Sequence, residues 1–354
     1  AKSYGLSVRL VTNGLKLADP VYCEKVVSSG ASVLISFDGL KRQMYEKLRA
    51  FPGALDLKLK ALENISKHKK GKVILMTVID KNINGDDMPK FLDYCLKNSK
   101  VIRGIFPMPL THVWAESRLG YKPDRTTLED IEKIVNDAVD GKVQFVPLGS
   151  LEFKNLARLF KLKHLPFLGV HPNCESFTLL LSNGNKYVSF SNFMKGDLYS
   201  LVEEIRKLDR SAEKYARKGQ CGIFRKALLG LGVGRLVLKY ANFGAMVNAK
   251  GLKAAVRWMG IFGAILTGKK VKDVIKDRTL MKGILQVLIL PFEDNATQES
   301  ERLEHCASGY AYIDTKTDTV KSIPGCIWER YKEAALRDNA IKYNKKGYDK
   351  GLAR

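Results

Sequence analysis

At 354 residues the chain exceeds the roughly 150-residue scale of one domain and is long enough to bury a sizeable core. Hydrophobic types make up 45% and charged types 27% of it, which excludes a fibrous or mainly disordered protein. Lys and Arg total 60 against 37 Asp and Glu, a formal net charge of +23, so an anionic partner, nucleic acid or an acidic lipid surface, has to be weighed.

The chain opens on what reads as the end of a helix running into the strand 7–11 and the turn Asn13-Gly14. That is a mid-domain beginning, and a fragment of a longer protein is expected. The period of the apolar pattern then switches repeatedly. It predicts a helix over about 18–29, a strand over 32–36, helices over about 41–49 and 55–67, a strand over 72–79, a helix over about 86–97 and a strand over 101–106. The runs VLISF and VILMTVI are nearly continuous in apolar residues, as parallel strands covered on both faces require. The fold class is therefore α/β, an open doubly wound sheet or part of a barrel. In both, ligands meet the residues just beyond the carboxyl ends of the strands. Those are Thr12, Asn13 and Gly14, then Ser36, Asp38 and Gly39, then Asp80, Asn82 and Asn84, then Pro107.

Beyond Pro109 a capping box at Thr126-Thr127-Leu128-Glu129 predicts a helix to about Val139, followed by the strand QFVPL at 144–148 and a helix over 150–165. A hairpin is predicted around Asn183-Gly184, helices from about Leu198, a strand over 284–290 and a polar tail. Five segments result: 1–110, 111–195, 196–280, 281–335 and 336–354.

The turns TNG and SFDG admit two readings. They are common turn formers, and they also place an Asn amide, a Ser hydroxyl and an Asp carboxylate where a ribose or amino-acid group is bound. No GxGxxG follows a strand and no GxxxxGK[ST] occurs, so the usual nucleotide cradles are absent. Six cysteines are too few for a disulfide scaffold and point to reduced thiols or thiolate ligands in the cytoplasm. Cys23 and Cys95 lie in apolar helical patterns and read as core. Cys174, in HPNC beside His171, and Cys306 and Cys326, which bracket a predicted hairpin, are candidate metal ligands from distant segments, with Cys221 a fourth. His112, after the fourth strand, is the one acid–base candidate at that edge.

Between Cys221 and Lys270 there are nine Lys or Arg and no Asp or Glu. Leu252, Val256, Met259, Phe262 and Leu266 share one helical face, with Lys253 and Arg257 off it. This segment reads either as core helices or as a basic amphipathic surface peripheral to an anionic membrane, with Trp258 and Phe262 entering the interface. Nucleic acid is disfavoured, because aromatics do not alternate with basic residues as a stacking platform needs.

VTNGLKLAD at 11–19, GASVLISFDGLKRQMYEKLR at 30–49 and VILMTVIDKNINGDDMPKFLDY at 73–94 together resemble the second half of a radical S-adenosylmethionine barrel. That family has TNG after one strand, S-x-D-G after the next and an Asn-bearing turn after the third, matched here by Ile83-Asn84. The resemblance implies a partial radical SAM (β/α) barrel with a mixed helical and small-strand C-terminal region. It implies S-adenosylmethionine as cofactor, with Ser36 and Asp38 against its nucleoside or methionine part and Asn13 and Asn84 nearby. The family's CxxxCxxC, which binds the catalytic [4Fe-4S] cluster, and its GGEP segment are not in this sequence.

The remainder resembles the archaeal branch that includes tetraether lipid synthase and related methylases. The matching residues are HPNC at 171–174, Phe292-Glu293-Asp294, Glu301-Arg302, Cys306 and Ile323-Pro324-Gly325-Cys326, with Gly325 where the branch has Phe. This implies an auxiliary iron–sulfur cluster on Cys174, Cys306 and Cys326, an electron donor protein, and a 5′-deoxyadenosyl radical acting on an unactivated carbon of an isoprenoid lipid. The alternatives are a radical methylase of a pterin or other small metabolite, and a truncated, non-catalytic lipid-associated protein. An isolated half-barrel exposes a strand edge, so poor solubility is expected of the chain alone.

Overall fold

The computed structural model describes residues 1–111, 124–139, 142–159, 170–217, 223–266, 271–293 and 297–343. His112, Cys221 and Asp294 lie outside them, as do the side chains of Phe262 and Leu266.

The βα alternation appears as the periodicity predicts: β1 (Arg9–Thr12), α1 (Pro20–Ser28), β2 (Ser32–Ser36), α2 (Arg42–Arg49), α3 (Ala54–Ser66), β3 (Val73–Ile79), α4 (Met88–Lys97) and β4 (Ile102–Pro109). α1 starts on the Asp19 side chain, which accepts from the Tyr22 amide at 2.8 Å, with Pro20 in the first turn. Strands β1 to β4 are neighbours and parallel. The lead-in helix is a single 3-10 turn, Lys2–Tyr4.

Further along come α5 (Leu128–Asp137), β5 (Val146–Pro147), α6 (Lys154–Leu159), β6 (Ser176–Ser182) and β7 (Tyr187–Ser189). α5 is capped by Thr127 and Asp130 rather than by Thr126 and Glu129, one residue beyond the expected box; the Thr126 hydroxyl instead accepts from the Lys81 amide. The strand expected at 144–148 shortens to two residues, Val146–Pro147. Helices α7 (Leu198–Arg217), α8 (Ile223–Tyr240), α9 (Phe243–Val247), α10 (Gly251–Leu266) and α11 (Val271–Arg278) follow, then β8 (Gly283–Ile289), α12 (Ser300–Glu304), β9 (Gly309–Asp314), β10 (Thr319–Pro324) and α13 (Trp328–Tyr343). The expected polar tail is thus partly helical, α13 running to Tyr343.

The main sheet has the order β1-β2-β3-β4-β8-β6-β5, with β7 also on β6. β8 is parallel to β4 and β6 runs antiparallel to β8. The sheet is an open, partly barrel-like α/β arrangement, and β1 is an edge strand whose Val11 side chain is exposed. Its two faces carry separate cores. Val33, Ile35, Phe37, Leu75, Ile79, Ile105, Val287 and Ile289 pack under the helices, and Leu34, Phe106, Leu148 and Leu288 gather on the other face. β3 shows why: the alternation of its side chains sends Val73, Leu75 and Ile79 to the helix side and Ile74 and Met76 to the opposite one.

In the basic segment Trp258 does not face outward. Its indole N–H donates to the Phe243 carbonyl at 2.9 Å and its ring meets that of Phe243 edge-on at 5.0 Å. An indole must satisfy its N–H when it packs, and the α9 carbonyl provides the acceptor.

Candidate functional site

The TNG and SFDG turns sit side by side at the carboxyl ends of β1 and β2, and each needs its glycine. Gly14 has φ +80°, and a Cβ there would lie 2.7 Å from Ile35; Gly39 has φ +140°, and its Cβ would lie 2.3 Å from the Met44 sulfur. Both positions combine a left-handed backbone with no room for a side chain. Gly39→Ala is therefore expected to lower the unfolding free energy by about 1–3 kcal/mol, read by urea denaturation. An unchanged midpoint would show that the backbone relaxes and Met44 moves aside together.

Lys58, buried on α3, ties the two turns together. Its ammonium donates to the Asn13 and Ser36 carbonyls and, at 3.0 Å, to the Ser36 hydroxyl, so all three protons are used. Burial pushes this ammonium down to about 8, an effect that Asp38 opposes and Arg49 reinforces. The sequence reading missed it, although Leu55, Lys58, Leu62 and Ile65 follow one helical stripe that assigns Lys58 to the buried face.

Asp38, two residues beyond Ser36, is wholly buried. Its carboxylate accepts both Arg49 Nε at 2.7 Å and Arg49 Nη2 at 2.9 Å, and also the Val78 amide at 3.0 Å. The Tyr45 hydroxyl receives the Asp38 amide and donates to the Gly39 carbonyl. Asn84 closes the next junction: its amide donates to the Asp38 carbonyl at 2.8 Å and to the Val78 carbonyl at 2.7 Å, and its oxygen accepts the Asp80 amide at 3.0 Å. Asn13 is exposed, its side-chain oxygen accepting the Leu15 amide.

Thus Asn13, Ser36, Asp38 and Asn84 come together along one carboxyl edge, as two linked pairs that brace the turns. They do not share one cavity. A cavity of about 240 Å³ is lined by Asp38, Gly39, Thr77, Asn84, Met88 and Phe91, among others, on the helix side of the sheet, and neither Asn13 nor Ser36 borders it. It is smaller than the roughly 300–1,000 Å³ of ordinary ligand sites. A Lys41–Asp87 ion pair at 2.7 Å stands among its lining residues.

The second candidate group lies where β8 ends and β6 begins. Cys174, Cys306 and Cys326 come close enough for Cys174 to feel the charge of the other two and for Cys326 to feel that of Cys306. Burial pushes the Cys174 thiol up to about 12, with Glu175 adding to it, and burial also raises Cys326. The Cys306 thiol donates to the Ser308 carbonyl at 3.1 Å. Beside them Arg302 and Glu293 form a buried pair at 3.3 Å, and His171 lies 3.7 Å from Glu301. Among the described residues no group of three or more His, Cys, Asp or Glu is placed to hold a metal ion. Burial of the Cys174 and Cys326 thiols disfavours the thiolate form that a cluster requires. The three cysteines converge, yet as placed they do not fit a bound auxiliary cluster.

No family model matches the chain. It is 26% identical over 214 residues to a 7,8-dihydro-6-hydroxymethylpterin dimethyltransferase of Methanocaldococcus jannaschii, a match covering 58% of this chain and 42% of that enzyme. The chain is a distant homologue of this methyltransferase and spans less than half of its length.

Proposed function

We propose that this chain carries the cofactor-facing carboxyl edge of an S-adenosylmethionine-dependent radical enzyme whose substrate is a reduced pterin. The observation that supports the cofactor reading is the alignment of Asn13, Ser36, Asp38 and Asn84 along adjacent parallel strands, with Lys58 joining the first two. The pterin reading draws on the distant relative.

In this proposal the side chains of Asp38 and Asn84 do not meet the cofactor through open carboxylate or amide groups, since Arg49, the Val78 amide and nearby backbone carbonyls already use those groups. They hold the 36–39 and 80–84 turns, so that backbone donors and acceptors and the Ser36 hydroxyl present a fixed edge to the nucleoside and methionine parts. No CxxxCxxC occurs in the sequence, so its residues do not fit a catalytic [4Fe-4S] cluster. A second reading, an isoprenoid lipid substrate, is favoured by one feature: the apolar side chains left exposed on α8 and α10.

The test uses the protein expressed from its whole reading frame, reconstituted anaerobically with iron and sulfide, reduced, and given S-adenosylmethionine. Release of 5′-deoxyadenosine is expected to rise with 6-hydroxymethyl-dihydropterin. A rise with isoprenoid phospholipid alone transfers the substrate to the second reading, and no release with either overturns the radical reading.

A further inference from the structure

Helix α10 has a buried side and an outward side. Ile261 and Ala264 pack with Val247 and Val274, and Trp258 and Ala254 lean on the same cluster. Opposite them, Leu252, Val256 and Met259 form a stripe at the i, i+4, i+7 spacing, with Leu252 80% and Met259 63% exposed. Gly263 continues the stripe, and a Cβ built on it meets nothing within 4 Å. On α8 the same division recurs. Leu229 and Tyr240 face inward, whereas Leu231 is 69% and Leu238 66% exposed, with Val237 beside them and open space around Gly230 and Gly234.

Large aliphatic side chains left this open over successive turns need a cover. The charge around them says which. The 221–270 segment has no acidic residue at all. Arg235 flanks the α8 face and Lys250 and Lys253 flank the α10 stripe, all exposed and none with a carboxylate partner among the described residues. A second copy would bring the same positive charge against itself. An anionic bilayer supplies phosphates for the cations and hydrocarbon for the stripe.

We propose that the outward faces of α10 and α8 rest on an anionic membrane surface, each helix lying in the interface with its aliphatic stripe below the headgroups. The helices lie in the interface rather than span it: α10 is about 24 Å long at 1.5 Å per residue, and no described helix is long and apolar enough to cross a membrane. Lys250 and Lys253 then reach headgroup phosphates while Leu252, Val256 and Met259 enter the acyl boundary. The surface is separate from the candidate cofactor edge and stands whatever chemistry that edge performs.

Co-sedimentation of the chain with vesicles tests this. Binding to phosphatidylglycerol–phosphatidylcholine vesicles is expected to exceed binding to phosphatidylcholine alone by about tenfold or more and to weaken as salt is added. Leu252→Glu with Met259→Glu is expected to reduce partitioning by about tenfold or more, the loss that follows from keeping large aliphatic groups in water. Lys250→Glu with Lys253→Glu, which touches no core residue, is expected to abolish the preference for the anionic vesicles. Thermal melts of both variants should match the parent. Equal binding to the two vesicle types, or unchanged binding by both variants, overturns the proposal. So does a concentration-dependent dimer that Leu252→Glu dissolves, because it assigns the stripe to a second copy.

Discussion

Asp38→Ala is expected to lower the unfolding free energy by about 3 kcal/mol and, on the proposed reading, to weaken S-adenosylmethionine binding at least tenfold. The carboxylate is wholly buried and accepts a two-pronged contact from Arg49 as well as the Val78 amide, so its removal strands three donors at once. The figure sits near the lower end of the range for broken buried pairs, because Arg49 stays about a third exposed and water reaches it. Arg49→Ala should cost more than Asp38→Ala, since it leaves the fully buried carboxylate without its counter-ion. Combining the two should cost less than their sum, and urea denaturation of the four proteins of this cycle measures the coupling. A loss under about 1 kcal/mol for Asp38→Ala would mean that Arg49 finds another acceptor and that the SFDG turn does not depend on this pair.

The same residues show what the sequence reveals and where it stops. Strands β2 and β3 are legible because parallel strands buried on both faces must be apolar almost throughout, and VLISF and VILMTVI are. The placement of TNG, SFDG and Asn84 at one edge follows from parallel direction alone. Their partners do not. Asp38 reads in sequence as a carboxylate offered to a ligand, and only the fold brings Arg49, one helix later, back onto it. Lys58 was readable from the stripe it shares with Leu55, Leu62 and Ile65, yet a lysine is by default assigned to solvent, and its three acceptors come from two other loops. Strand β8 pairs with β4 across the whole of the helical segment, and β6 enters the sheet antiparallel; long-range pairing of that kind leaves no local pattern. Cys174, Cys306 and Cys326 read in sequence as ligands offered from loops, but spacing carries no information on burial, and burial raises the Cys174 and Cys326 thiols.

Lys58→Met should separate two contributions that a simple alanine scan would merge. Methionine keeps the volume of the aliphatic stem, while the charge and three hydrogen bonds disappear. Losing the bonds is destabilising, and losing a desolvated ammonium is stabilising, so the net change in unfolding free energy at neutral pH is expected to stay within about 2 kcal/mol. The loops have no such offset. Without the clasp the TNG and SFDG turns keep the β1–β2 ladder but lose the bridge between them, and S-adenosylmethionine affinity is expected to fall at least tenfold. The pH dependence carries the same signature. Burial lowers the ammonium to about 8 in the folded chain, from the ordinary lysine value of 10.5 in the unfolded one. Between those values the unfolded state binds the extra proton, so the contribution of Lys58 to stability rises with pH across that window. Below it both states are protonated and the full burial penalty applies; above it both are neutral. The parent should therefore gain stability relative to Lys58→Met as pH is raised from about 7 to 10, other titrations cancelling in the difference. A difference that stays flat over this range would show that the ammonium keeps its ordinary affinity for the proton, and that its three acceptors fully repay its burial.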